Sequence, residues 1–152
     1  MLSVGDPAPE FTLQADTGET ISSADLRGSR VVVYFYPKDD TPGCTRQACA
    51  IRDSWSDFES ANAEVFGISP DGVESHRRFR EKFSLPFRLL ADTDHGVAEA
   101  FSVWGERKNY GKTYMGIVRS SFVIDEEGRI AAAAYNVKPE DTTPKALAAL
   151  AG

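Results

Sequence analysis

"RVVVYFYPKDDTPGCTRQAC", residues 30–49, is the stretch on which the fold of this chain turns. It opens with a continuous β-branched and aromatic run (30–36), which predicts a strand buried on both faces. The loop "PKDDTPG" (37–43) leaves that strand. From Cys44 to about Ser60 the apolar positions Ala48, Ile51, Trp55 and Phe58 recur at helical spacing, which predicts one amphipathic helix. "AEVFGIS" (63–69) then reads as a second buried strand. Strand, helix, strand in this order is a βαβ unit, with parallel strands and a right-handed crossover.

Outward from this unit the pattern continues. "PEFTLQADTGETIS" (9–22) suggests two short strands around a turn at Asp16-Thr17-Gly18. A helix is predicted from about Val73 to Phe83, a short strand in "PFRLLAD" (86–92), and another helix from Thr93 to Phe101. "IVRSSFVID" and "RIAAAAYN" flank "EEG" as a hairpin. Pro139 to Leu150 closes the chain as a helix. These elements predict an α/β fold of the thioredoxin-like kind: a central mixed sheet flanked by helices on both faces.

With 152 residues, the chain fits one domain spanning 1–152. At 41% hydrophobic and 26% charged it has the composition of a soluble globular protein. A net charge of −6 excludes the basic face that nucleic acid requires. The one basic cluster, "SHRRFREK" (75–82), alternates with Phe79 and Phe83 and reads as a solvated helix face. No apolar run approaches the ~20 residues needed to cross a bilayer. The N-terminus has neither a basic start nor a signal-length apolar core, so a cytoplasmic location is expected. That compartment is reducing and disfavours structural disulfides. The only two cysteines, Cys44 and Cys49, therefore point to chemistry rather than architecture.

Cys44 falls in the first turn of a helix that starts beyond the carboxyl end of a buried strand, where open α/β sheets place their ligands. Unpaired N–H groups and the helix dipole stabilise an anion at such a position. Candidate donors around it are the Thr41 hydroxyl, the N–H groups of Gly43 and Cys44, and one cation. That cation is Arg119, which interrupts the apolar strand "GIVRSSFVI" (116–124) and costs desolvation there without an anionic partner. Arg119 could equally face solvent from an edge strand or pair with a carboxylate. Cys49 could simply be a small buried hydrophobe. His76 and His95 match no zinc spacing and read as surface or satisfied histidines, so no metal or cofactor is expected. Four residues separate the cysteines, which also sets them apart from a CxxC redox motif.

"YFYPKDDTPGCTRQAC" (34–49) strongly resembles the peroxiredoxins, in particular the bacterioferritin comigratory protein or peroxiredoxin Q group. The family pattern of Pro, three residues, Thr, two residues, Cys falls on Pro37, Thr41 and Cys44, and the group's second cysteine falls on Cys49. "VWGERKNYGKTYMGIVRSSFVIDEEG" (103–128) is similar to the same family and places its active-site arginine at Arg119. The resemblance implies a thiol peroxidase acting on hydrogen peroxide and organic hydroperoxides. Cys44 would be oxidised to a sulfenic acid, with Thr41, Gly43 and Arg119 binding the substrate and Pro37 shielding the thiol. Cys49 would resolve the sulfenic acid into an intramolecular Cys44–Cys49 disulfide, recycled by a thioredoxin- or glutaredoxin-type reductant. A monomer is expected, with a weak dimer as the alternative. Two rival readings are a protein thiol–disulfide oxidoreductase on the same fold and a redox-sensing module.

Overall fold

A computed structural model describes residues 1–151 of the chain. Its main sheet has seven strands in the order β2-β1-β5-β4-β3-β8-β9. These are β1 (Thr12–Ala15), β2 (Thr20–Ser22), β3 (Arg30–Phe35), β4 (Ala63–Ser69), β5 (Arg88–Ala91), β8 (Ser120–Ile124) and β9 (Ile130–Ala134). β3 lies parallel to β4 and antiparallel to β8, so the sheet is mixed, as expected.

The period of two along β3 divides the core. Val31, Val33 and Phe35 enter one hydrophobic cluster with Phe66, Phe101 and Phe122. Val32, Tyr34 and Tyr36 enter the other, against α1 (Pro42–Asp53), α2 (Trp55–Ser60), α3 (Val73–Phe83) and α5 (Thr142–Ala151). Helices cover both faces, but unevenly. The first face carries the short α4 (Gly96–Ala100), through Ala98, together with the N-terminal segment around Phe11.

One approach between strands is unusually close. A Cβ placed on Gly67 of β4 would lie 2.8 Å from the Tyr34 ring tip and 2.9 Å from Leu89. Any larger residue there would drive the tyrosine out of the core, because both neighbours are fully buried. The Tyr34 hydroxyl nonetheless finds no hydrogen-bond partner among the described residues. Burial, reinforced by the negative charge a thiolate at Cys44 would carry, pushes its phenol well above the ordinary value.

Three sequence expectations need correction. The helix expected over 44–60 is two helices, α1 and α2, broken at Ser54 (φ −108°, ψ 19°). Ile51, Trp55 and Phe58 keep helical spacing across the break because both helices pack on the same face. The helix expected from Thr93 begins only at Gly96, where the Asp92 carboxylate accepts the N–H groups of Val97 (3.1 Å) and Ala98 (2.9 Å). Finally, Arg119 does not interrupt a strand. β6 (Trp104–Asn109) and β7 (Lys112–Ile117) form a separate two-stranded sheet that the sequence reading left unassigned. The chain crosses from that sheet to β8 through Val118 and Arg119, which belong to neither. Val118 donates to the Val103 carbonyl, and the Arg119 carbonyl accepts from Val137.

Candidate active site

α1 starts as its sequence predicts. Thr41 is extended (φ −103°, ψ 156°) and Pro42 occupies the first turn, where its missing N–H costs nothing. The first helical bond runs from Thr45 N–H to the Thr41 carbonyl at 2.8 Å, so the N–H groups of Gly43 and Cys44 lie ahead of the ladder. Cys44 is 1% exposed, on the face where Ala48 and Ile51 follow at helical spacing. Cys49, further along α1, is half-buried, and both thiols are free.

Arg119 arrives from the opposite direction, and the carboxylate alternative fails, since no acidic side chain forms an ion pair with it among the described residues. Its Nη2 donates to Cys44 Sγ at 3.4 Å, and its Nη1 donates to Gln47 Oε1 at 2.5 Å. Gln47 is fully buried and donates its Nε2–H to Thr142 Oγ1 of α5 at 2.8 Å. A relay from α5 through Gln47 thus fixes a guanidinium against the thiol. The sulfur thus faces a guanidinium at the first turn of a helix.

Gln47 escaped the sequence reading. Its signal was a polar residue three after Cys44, on the face that otherwise holds only buried residues of α1. Thr41 sits as expected at the mouth of the helix, but its hydroxyl proton goes to the Lys38 carbonyl at 2.9 Å. Toward a substrate it is therefore an acceptor, not the donor expected from sequence. Pro37 is exposed and lines a surface pocket with Pro70, Trp104, Tyr114 and Met115.

Gly43 takes on a second part here. A Cβ at this position would lie 3.2 Å from Arg119 Nη2 and 3.3 Å from the Pro139 ring. The proline ring is stiff, so the guanidinium must give way by a few tenths of an ångström. If the expected peroxide chemistry holds, Gly43→Ala should slow reaction at Cys44 by up to about tenfold, given how steeply rate falls with misplacement, while leaving the melting temperature nearly unchanged. An unaltered rate in stopped-flow mixing would show that Arg119 has slack at this contact.

Of the other singled-out side chains, His76 is wholly buried and hydrogen-bonded, and His95 stacks on Trp104 with ring centroids 3.9 Å apart. In the basic cluster of α3, Arg77 pairs with Glu74, Arg80 with Asp16 and Lys82 with Asp40, while Arg78 is exposed. No helix among the described residues is long and apolar enough to cross a membrane.

Comparison with known proteins follows the same lines. The model of the AhpC/TSA family matches residues 4–133. Peroxiredoxin Bcp of Bacillus subtilis is 49% identical over 149 residues, 98% of this chain and 95% of its own length. Peroxiredoxin Bcp of Escherichia coli is 52% identical over 129 residues, 85% of this chain and 83% of its own. Among solved structures, the Xanthomonas campestris bacterioferritin comigratory protein, described for alkyl peroxide reduction, superposes with a TM-score of 0.90. It is 33% identical and covers 98% of both chains.

Proposed function

Since the chain belongs to the AhpC/TSA family and is a peroxiredoxin, a thiol-dependent peroxidase, we propose that Cys44 attacks the peroxide and Cys49 resolves the product. The observation that carries this is the guanidinium held 3.4 Å from Cys44 Sγ at the start of α1. Only Cys44 has that contact.

The Cys44 thiolate attacks the terminal oxygen of hydrogen peroxide or an organic hydroperoxide. The O–O bond breaks, sulfur gains the hydroxyl, and the leaving alkoxide or hydroxide takes up a proton. Negative charge moves from sulfur to the leaving oxygen in this step. The free N–H groups of Gly43 and Cys44 and the Arg119 guanidinium lie where that charge develops, and fixed donors there lower the barrier. Thr41 Oγ accepts a hydrogen bond from the peroxide and orients it, and Pro37 shields the thiol. Cys49 then displaces water from the Cys44 sulfenic acid to give a disulfide. A dithiol of the thioredoxin or glutaredoxin type exchanges with that disulfide, is itself oxidised, and restores both thiols. The whole cycle is assigned to one domain acting as a monomer in the cytoplasm.

The continuity of α1 supports one further step of this reading. Residues five apart on an α-helix point about 140° away from one another and are separated by ~7.5 Å along the axis. A disulfide needs Cα atoms within ~7 Å. Cys44 and Cys49 both lie inside α1, Pro42–Asp53, so they cannot bond while it is intact. The segment 44–51 should therefore unwind on oxidation and refold on reduction, at little expense because short helical pieces are marginal. Hydrogen exchange tests this together with intact mass. Amides 44–51 should exchange faster in the disulfide form, while those of α2, beyond the break at Ser54, should not. Equal protection of 44–51 in both forms, with the disulfide verified by mass, would refute the unwinding.

A further inference from the structure

The loop from which α1 springs makes a buried carboxyl–imidazole contact that the peroxide chemistry leaves unused. Asp39 is 8% exposed and His76, on α3, is 0% exposed. His76 Nε2 lies 2.9 Å from the Leu90 carbonyl, which can only accept, so Nε2 carries a proton. His76 Nδ1 lies 2.7 Å from Asp39 Oδ2, so a single proton shared along this contact joins the imidazole to the carboxyl group.

Buried polar groups are retained only when hydrogen-bonded, and these are thoroughly so. Asp39 Oδ2 also accepts from Ser75 Oγ at 2.8 Å, and Oδ1 accepts from Tyr36 Oη at 2.5 Å. Burial and the Asp39 charge push the Tyr36 phenol well above its ordinary value, which keeps it a donor. The Asp39 backbone N–H donates to Asp71 Oδ2 at 2.8 Å, and Asp71 is held in turn by the Ser69 hydroxyl at 2.7 Å. The donor atoms of Asp39, Asp71 and His76 lie close enough together to suggest a cation site. Each of these atoms is already engaged, however, and the hydrogen bonds account for the cluster.

Asp39 therefore ties one point of an irregular loop to the end of β3, the β4–α3 turn, α3 and β5. The next residue, Asp40, adopts φ 56° and is tethered to Lys82 at 2.7 Å, and Thr41 then caps α1. We propose that the Asp39–His76 pair is a positioning device for the reactive thiol. It fixes the origin of α1 so that Cys44 meets Arg119. This rests on Cys44 being the thiol that meets peroxide.

The test uses the Cys49→Ser protein, in which only Cys44 can react, and reads the second-order rate for one equivalent of hydrogen peroxide. His76→Gln and Asp39→Asn are each expected to slow it at least tenfold, with amide exchange accelerated over 38–45. The double variant, whose two amides can pair, should be no slower than the slower single one. Tyr36→Phe, which removes one donor without changing the core volume, should slow it about threefold. A merely structural pair would lower the melting temperature and leave the rate alone. Rates within twofold of the Cys49→Ser parent in a folded Asp39→Asn or His76→Gln protein overturn the proposal. If either fails to fold, a parent-like rate in Tyr36→Phe does so. An inert Cys49→Ser parent would instead overturn the assignment of Cys44 and say nothing against the pair.

Discussion

Cys44→Ser is expected to abolish peroxide reduction. At neutral pH a serine hydroxyl supplies almost no anion, so the attack on the O–O bond loses its nucleophile even with every other group in place. The remaining thiol cannot substitute. Cys49 lies five residues along α1, half-buried and without the Arg119 contact that Cys44 enjoys. Cys49→Ser should behave differently: it consumes about one equivalent of peroxide, then stalls as a sulfenic acid that external thiols rescue or excess peroxide over-oxidises. Mass spectrometry after a single addition distinguishes the two variants. A Cys44→Ser protein that still reacts, beside an inert Cys49→Ser protein, would reverse the assignment.

Arg119→Ala carries the second large effect. A thiol with the unperturbed pKa of ~8.5 is about 3% ionised at pH 7, so complete ionisation alone is worth roughly 30-fold in rate. Loss of Arg119 should exceed that, because the guanidinium also faces the atoms where charge builds up on the leaving oxygen. It also strips Gln47 Oε1 of its partner, and a buried acceptor left unpaired costs about 1–3 kcal/mol of stability. Arg119→Lys should recover only part of the rate, since an ammonium cannot reach both Cys44 Sγ and Gln47 Oε1 as the planar fork does. Rates at pH 7 and well above the thiol pKa settle the division. Full recovery at high pH would confine Arg119 to ionisation.

Much of the architecture was legible because it is written in local periodicity. "AEVFGIS" became β4 without a residue gained or lost, and Val73–Phe83 became α3. The misses share a cause: tertiary structure decided what local pattern could not. Ser54 interrupts a helix whose apolar spacing continues undisturbed on either side. The strands of β6 and β7 carry Glu106, Arg107, Lys108, Lys112 and an exposed Tyr114, so they show no buried alternation from which to be read. Arg119 was singled out as a charge within a strand, whereas it lies on a sheet-to-sheet crossing, which leaves no trace in composition. At the site, motif spacing marked Thr41, Gly43 and Cys44. It was silent on Gln47 and on the direction of the Thr41 hydroxyl, both of which depend on α5 and on the Lys38 carbonyl.

The interruption at Ser54 has a calorimetric corollary. Unfolding adds about 12–15 cal/mol/K of heat capacity per residue, so melting the whole chain should add about 2 kcal/mol/K. Unwinding that stops at Ser54 involves at most the 12 residues of α1, or about 0.15–0.2 kcal/mol/K. Reduced and oxidised protein would then share nearly the same curvature of stability against temperature. A redox cycle of that kind keeps its thermal response almost constant while its most reactive segment folds and unfolds at every turnover.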